Sequence, residues 1–177
     1  MSDLQKNHFE LLGMPAQFAL DMALLDQHYR KLQAEVHPDR FAAASPGERM
    51  QSMQWATQAN EAYRTLKHPT TRARYLLALH GVDTEEENNT AMPADFLMLQ
   101  MEWRETVEEA YDERNIAALD ASLKQMREQA QALEQKLVAI LDQQQAWQEA
   151  AGIVRKLSFI DKIRADVEHK ISKLEDE

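Results

Sequence analysis

With 177 residues, 44% of them hydrophobic and 28% charged, the chain has room for one ordinary domain or two small ones and the composition of a folded protein. It has no cysteine, which excludes disulfides, thiolate ligation of zinc or of an iron–sulfur cluster, and thiol catalysis by the chain itself. The net charge of -10 is uneven: residues 1–81 hold 9 Lys+Arg against 8 Asp+Glu (+1), and residues 82–177 hold 11 against 22 (-11), which excludes a cationic nucleic-acid surface on the second half.

Only 4 glycines and 5 prolines interrupt a sequence rich in Ala, Leu, Gln, Glu and Met, residues that lose little side-chain freedom in a helix. The fold class expected is therefore all-α. Phe9, Leu11 and Leu12 form an apolar cluster before the turn Gly13-Met14-Pro15. Asp21 caps a helix in which Leu25, Tyr29, Leu32 and Val36 recur every three or four residues, giving one apolar stripe. Pro38 ends it, because the residue before a proline is driven out of the helical region. Arg40 to Gly47 reads as a loop, and Ser45-Pro46 opens the next helix with a cap and an N1 proline. Trp55, Ala59, Ala62 and Leu66 supply its buried face. After Pro69 a short helix with Tyr75, Leu76 and Leu79 runs to Gly81, a glycine stop.

Asp83 to Thr90 is acidic and polar and reads as a linker. Ala94 to about Tyr111 forms the next helical pattern. Ile116, Leu119, Leu123, Met126, Ala130, Leu133, Leu137 and Ile140 then alternate steps of three and four without a break. A last helix runs from about Trp147 to Leu174, with Val154, Leu157, Ile160, Val167, Ile171 and Leu174 inward. Three amphipathic helices with short turns fold most simply as an antiparallel bundle. The first residues have no apolar core or basic leader, and no apolar run approaches the ~20 residues of a membrane span. A soluble, cytoplasmic chain with no membrane partner is expected.

The informative tripeptide is His37-Pro38-Asp39, between the second and third helices. Alone it is a helix stop as readily as a site. In context it follows Tyr29-Arg30-Lys31-Leu32 and precedes Asn60-Glu61-Ala62-Tyr63, Leu66, Pro69, Arg72 and Tyr75, with Phe9-Glu10-Leu11-Leu12-Gly13 at the head. This ordered series resembles the J-domain, the module that DnaJ-type proteins present to DnaK-type chaperones. Val36 stands where that family usually has an aromatic residue, and Arg40 where it usually has lysine. Pro38 fixes the turn and holds its neighbours outward, Asp39 can accept a bidentate bond from a partner arginine, and Arg30, Lys31 and Arg40 would steer toward an acidic surface. The resemblance implies that His37, Pro38, Asp39, Arg30, Lys31 and Arg40 meet a chaperone of the HscA/DnaK type and stimulate its ATPase. His28, His68, His80 and His169 are scattered without metal-ligand spacing, and His37 with Asp39 imitates a dyad without a nucleophile. No metal, cofactor or enzymatic activity is expected.

The glycine/phenylalanine-rich segment and zinc cysteines of general J-proteins are absent. The second half resembles instead the bundle of the HscB family, co-chaperones of iron–sulfur cluster assembly. The residues that carry this are His37-Pro38-Asp39-Arg40-Phe41, Arg72, Tyr75 to Gly81, Phe96-Leu97-Met98, Val154-Arg155-Lys156-Leu157, Phe159 and Asp161-Lys162. Phe96, Trp103, Val107 and Ala110 can face a bundle core, and Met98, Glu102, Glu105 and Glu109 step by four, three and four along one face. By periodicity Leu97, Met98 and Met101 are either core or an exposed patch running into carboxylates. The resemblance implies the second, with Leu97, Met98, Met101, Glu102, Glu105, Glu109 and Phe159 binding an IscU-type scaffold. Whether Phe159 is exposed stays open, since it lies between Leu157 and Ile160. The expected division is a J-domain at residues 1–81, a linker at 82–95 and a client-binding three-helix bundle at 96–177. The alternative is a general J-protein adaptor with a different client.

Overall fold

The computed structural model describes residues 6–86 and 91–176, and among these there are helices and no strand. The expected all-α class is observed. The chain divides into two compact units, Met1–His80 and Gly81–Glu177; residues 87–90 of the expected linker lie outside the described residues.

In the first unit, local chemistry sets each boundary. Helix α1, His8–Leu11, starts at Asn7, whose side chain accepts from the Glu10 N–H while Glu10 reaches back to the Asn7 N–H, a reciprocal cap. Helix α2, Met22–Val36, starts at Asp21, whose carboxylate accepts the Leu24 N–H at 3.1 Å. Helix α3, Pro46–Lys67, is capped by Ser45 with Glu48 in the same reciprocal manner. Helix α4, Pro69–Leu79, ends where Gly81 takes the left-handed φ of 72° that costs glycine little. The non-helical connection is shorter than the sequence suggests: Pro38–Phe41 winds into one 3-10 turn, and Pro46 and Gly47 already belong to α3.

Helices α2 and α3 pack through Leu25, Val36, Ala59, Ala62 and Leu66, with the small alanines allowing close approach. Tyr29 and Tyr63 stack with centroids 4.0 Å apart, Tyr29 donates to Asn60 Oδ1, and Tyr63 donates to Asp26 Oδ1 at 2.7 Å. Arg72, a motif residue on α4, is buried; its guanidinium donates to the Leu66 carbonyl at 2.7 Å and lies over the Phe18 ring. Trp55 is half-buried rather than fully inside, with its Nε1 out of contact with water.

Tyr75 ties α4 to α1. Its hydroxyl accepts from the His8 N–H at 2.9 Å, and the two rings stack at 4.3 Å. Burial of His8 lowers its pKa below the usual 6.5, against a smaller opposing pull from Glu61. The folded state thus favours the neutral ring, so the unfolded chain binds more protons as the pH drops. This contribution to stability is full above about pH 6.5 and is lost as the pH falls toward the lower folded value. Thermal melts of the parent and of His8→Gln at about pH 7.5 and about pH 5.5 should show a smaller acid-induced drop for the variant. Identical drops would exclude His8 as a source of the acid sensitivity.

The second unit holds α5, Ala94–Asp112; α6, Ile116–Leu137; and α7, Trp147–Asp176. Asn115 caps α6 by accepting the Ala118 N–H at 3.0 Å. Cross-helix contacts give the order up, down, up. Lys156 lies over Phe96 and Lys170 over Tyr111, so α5 and α7 run in the same direction. Arg127 pairs with Glu168, whereas Leu133, Lys136 and Ile140 line one groove with Gly152 and Ile153, so α6 runs against α7. The core contains Phe96, Trp103, Val107, Leu119, Met126, Leu137, Leu157, Ile160 and Val167. Ile171 and Leu174, expected inward, are half-buried near the end of α7. The seam on α6 does not stay α-helical to Ile140. From Val138 to Gln144 the chain widens into π turns, and Gln145 stops it with φ 53°. Ile140 and Leu141 are both buried there, and the polar run after them offers nothing to draw another turn inward.

Candidate functional site

Two surfaces follow from these elements, one in each unit. In the first, α2 must stop at Val36 because of Pro38, and the chain turns once before α3. His37 closes α2 and opens the 3-10 turn, where its Nδ1 accepts the Asp39 N–H at 3.2 Å. With Nδ1 in that role, the proton of the neutral ring sits on Nε2, which becomes the ring's donor. Asp39 Oδ2 also stands 3.5 Å from the same Nδ1. That contact needs a proton on Nδ1, so the two are alternatives, and the shorter backbone bond describes the neutral ring. The Asp39 side chain is 92% exposed, free to take a partner's donors.

Arg30, Lys31 and Arg40 are exposed as well, and Arg40 reaches back to the Ala34 carbonyl at 3.4 Å. One residue that holds this loop escapes sequence reading. Ser52 of α3 is buried and donates to the Val36 carbonyl at 2.7 Å, which satisfies one of the orphan carbonyls at the end of α2. A signal existed: Ser52, Trp55, Ala59, Ala62 and Leu66 step by three, four, three and four, so a serine occupies the apolar stripe. Ser52→Ala leaves that buried carbonyl unpaired and should cost about 1–3 kcal/mol. Denaturant titration measures this, and a loss below ~0.3 kcal/mol would mean the carbonyl is satisfied without Ser52.

The second surface lies on α5. Phe96, Gln100, Trp103, Val107 and Ala110 step by four, three, four and three along its inner side, and all are buried. Gln100 was not foreseen there, and its Nε2 has no hydrogen-bond partner. The periodicity is thereby satisfied without Leu97, Met98 and Met101, which remain 42%, 62% and 70% exposed. They stand beside Glu102, Glu105 and Glu109, all exposed. Apolar side chains this open on a helix with a complete inner face are unusual for a surface without a partner.

Phe159 on α7 is half-buried, with the Lys162 ammonium 5.7 Å from its ring centre. The open question of its exposure thus resolves as partial. Arg155 of the same helix is held by the Thr84 carbonyl at 3.0 Å. Among the described residues no group of three or more His, Asp or Glu side chains is placed to hold a metal ion, and no helix is long and apolar enough to cross a membrane.

Comparison with known proteins covers nearly the whole chain. Residues 92–168 match the family model described as the HSCB C-terminal oligomerisation domain. Over 175 residues the chain is 53% identical to the co-chaperone protein HscB homolog of Burkholderia multivorans and 52% identical to that of Burkholderia vietnamiensis, with 99% of each chain covered in both cases. Among solved structures it is similar to chaperone HscB from Vibrio cholerae, with TM-score 0.83, 40% identity, and coverage of 96% of this chain and 99% of that one. It is also similar to human co-chaperone protein HscB, with TM-score 0.87, 30% identity, and coverage of 94% and 82%.

Proposed function

Because the chain belongs to the HscB family of co-chaperones, we propose that it serves iron–sulfur cluster assembly in the cytoplasm by delivering an IscU-type scaffold to an HscA/DnaK-type chaperone and stimulating that chaperone's ATPase. The J-domain is assigned to residues 1–81 and the client-binding bundle to 96–177, joined by the segment 82–95. The observation that carries the reading is the exposed row Leu97, Met98 and Met101 on a helix whose inner face is already filled. This patch gives the scaffold an apolar contact, Glu102, Glu105 and Glu109 continue it along α5, and Phe159 of α7 is assigned to the same docking face.

The loop supplies no bond-making group. Its effect is conformational: a co-chaperone accelerates hydrolysis only by binding the hydrolysis-competent state of its partner more tightly than the resting state. Each ~1.4 kcal/mol of that difference corresponds to about a tenfold shift. Asp39 with its open carboxylate and the Nε2 donor of His37 are suited to a geometry-selective contact, while Arg30, Lys31 and Arg40 raise the encounter rate with an acidic surface. Carrying both contacts on one chain raises the local concentration of scaffold at the chaperone. The chain itself acts by binding, without catalysis.

The competing assignment is a general J-protein adaptor with a different client. Immobilised protein should capture purified IscU-type scaffold from solution. Failure to capture it, with ATPase stimulation intact, would favour the adaptor.

A further inference from the structure

The exposed side of α5 carries two rows rather than one. Met98, Glu102, Glu105 and Glu109 form the acidic row already described. Leu97, Met101, Arg104 and Glu108 step by four, three and four beside it. This second row leads from the exposed apolar residues into a groove of about 390 Å³ between α5 and α7, lined by Arg104, Val107, Glu108, Lys162, Ile163 and Asp166. Since α5 and α7 run in the same direction, Phe159 stands on α7 near the level of Met101, one turn before Lys162.

The charges along this groove do not cancel locally. Both of its carboxylates are shared by one cation: Lys170 Nζ lies 3.0 Å from Glu108 Oε1 and 4.0 Å from Asp166 Oδ2. The bond to Glu108 raises the Lys170 pKa, so this lysine remains charged and committed to the pair. Among the described residues, neither Arg104 nor Lys162 takes part in an ion pair; Lys162 has only the Phe159 ring beneath it. Two cations without an ion-pair partner of their own thus flank an apolar floor of Val107 and Ile163, on a unit that is otherwise strongly acidic.

We propose that this α5/α7 groove extends the scaffold-docking face and receives an aspartate or glutamate side chain of the scaffold between Arg104 and Lys162. The inference rests on the scaffold-docking reading of α5. The face would then be striped, with carboxylates along one edge and cations along the other. A partner of uniform basic charge would be rejected at the groove, and only one with both signs in matching register would fit. The stripe accordingly fixes the orientation of the scaffold, which the acidic row alone does not.

The test is titration calorimetry of the purified IscU-type scaffold into the full-length protein, at two salt concentrations. The variants are Arg104→Gln/Lys162→Gln, Arg104→Glu/Lys162→Glu, and, separately, Leu97→Ser/Met101→Ser, with far-UV circular dichroism as the folding control. Neutralisation should weaken binding several-fold and flatten its salt dependence, and charge reversal should weaken it by about ten- to a hundredfold. Unchanged affinity and salt dependence in both charge variants, with binding lost in Leu97→Ser/Met101→Ser, would overturn the groove proposal and leave the docking face standing. Binding unaltered in all three variants would overturn the docking face and the groove with it.

Discussion

His37→Gln is expected to abolish stimulation of the partner chaperone's ATPase while leaving the helical content and melting temperature of the protein unchanged. The two halves of that expectation have separate physical grounds. The His37 side chain is 52% exposed and lies outside the apolar core, so its replacement removes little stability. The role proposed for it requires a ring held between the end of α2 and the 3-10 turn. There Nδ1 is engaged by the Asp39 N–H at 3.2 Å, which leaves Nε2 for a partner. Glutamine has three side-chain torsions where histidine has two, and its amide lacks the paired nitrogen geometry that ties the side chain to the turn. If the selective contact contributes about 3 kcal/mol to the hydrolysis-competent state, its loss reduces stimulation by more than a hundredfold. Steady-state ATPase rates with parent and variant, alongside circular dichroism, decide the matter. An unchanged rate would remove the loop from the mechanism.

Met98→Ala with Glu105→Ala should weaken scaffold binding by about ten- to a hundredfold, while stimulation of the chaperone without scaffold stays at the parent level. Met98 is 62% exposed, so truncation creates no cavity in the bundle. In a complex the lost methionine surface corresponds to ~1–2 kcal/mol of apolar burial. Glu105 on the same row adds a smaller contribution, since rim charges act mainly on the association rate. The substitutions lie in the second unit and the loop in the first, so the two activities should separate. Parallel loss of both activities would contradict two independent sites.

Much of the architecture was legible because its determinants are local. Asp21, Ser45, Pro46 and Gly81 mark helix ends through capping and φ preference, and each acts within one turn of its position. The apolar stripes of α2, α3 and α5 were readable for the same reason. What stayed hidden depends on partners distant in sequence. Ser52 and Gln100 interrupt apolar stripes with polar side chains; one is explained by the Val36 carbonyl, and the other leaves its Nε2 without a hydrogen-bond partner. The widening of the chain after Leu137 follows from packing at the end of the bundle, and the smooth heptad pattern gives no sign of it.

The α5 surface shows the same division. Periodicity alone left Leu97, Met98 and Met101 either buried or exposed, because nothing in the sequence says where α6 and α7 lie. The filled inner row from Phe96 to Ala110 places them outside. Phe159 is harder still: it lies between the buried Leu157 and Ile160, and its own burial is only partial, with the Lys162 ammonium over its ring. The sharing of Lys170 by Glu108 and Asp166, which leaves Arg104 and Lys162 without an ion-pair partner, requires three charged positions on two helices to be known together.

In the proposed function one chain couples a scaffold to a chaperone ATPase. The most direct test of that coupling is the steady-state ATPase rate of an HscA-type chaperone with this protein present, measured with and without the IscU-type scaffold. Each addition should raise the rate, and both together should raise it by more than the product of the separate effects. A rate that rises with this protein and ignores the scaffold, or one that does not rise at all, would contradict the coupling.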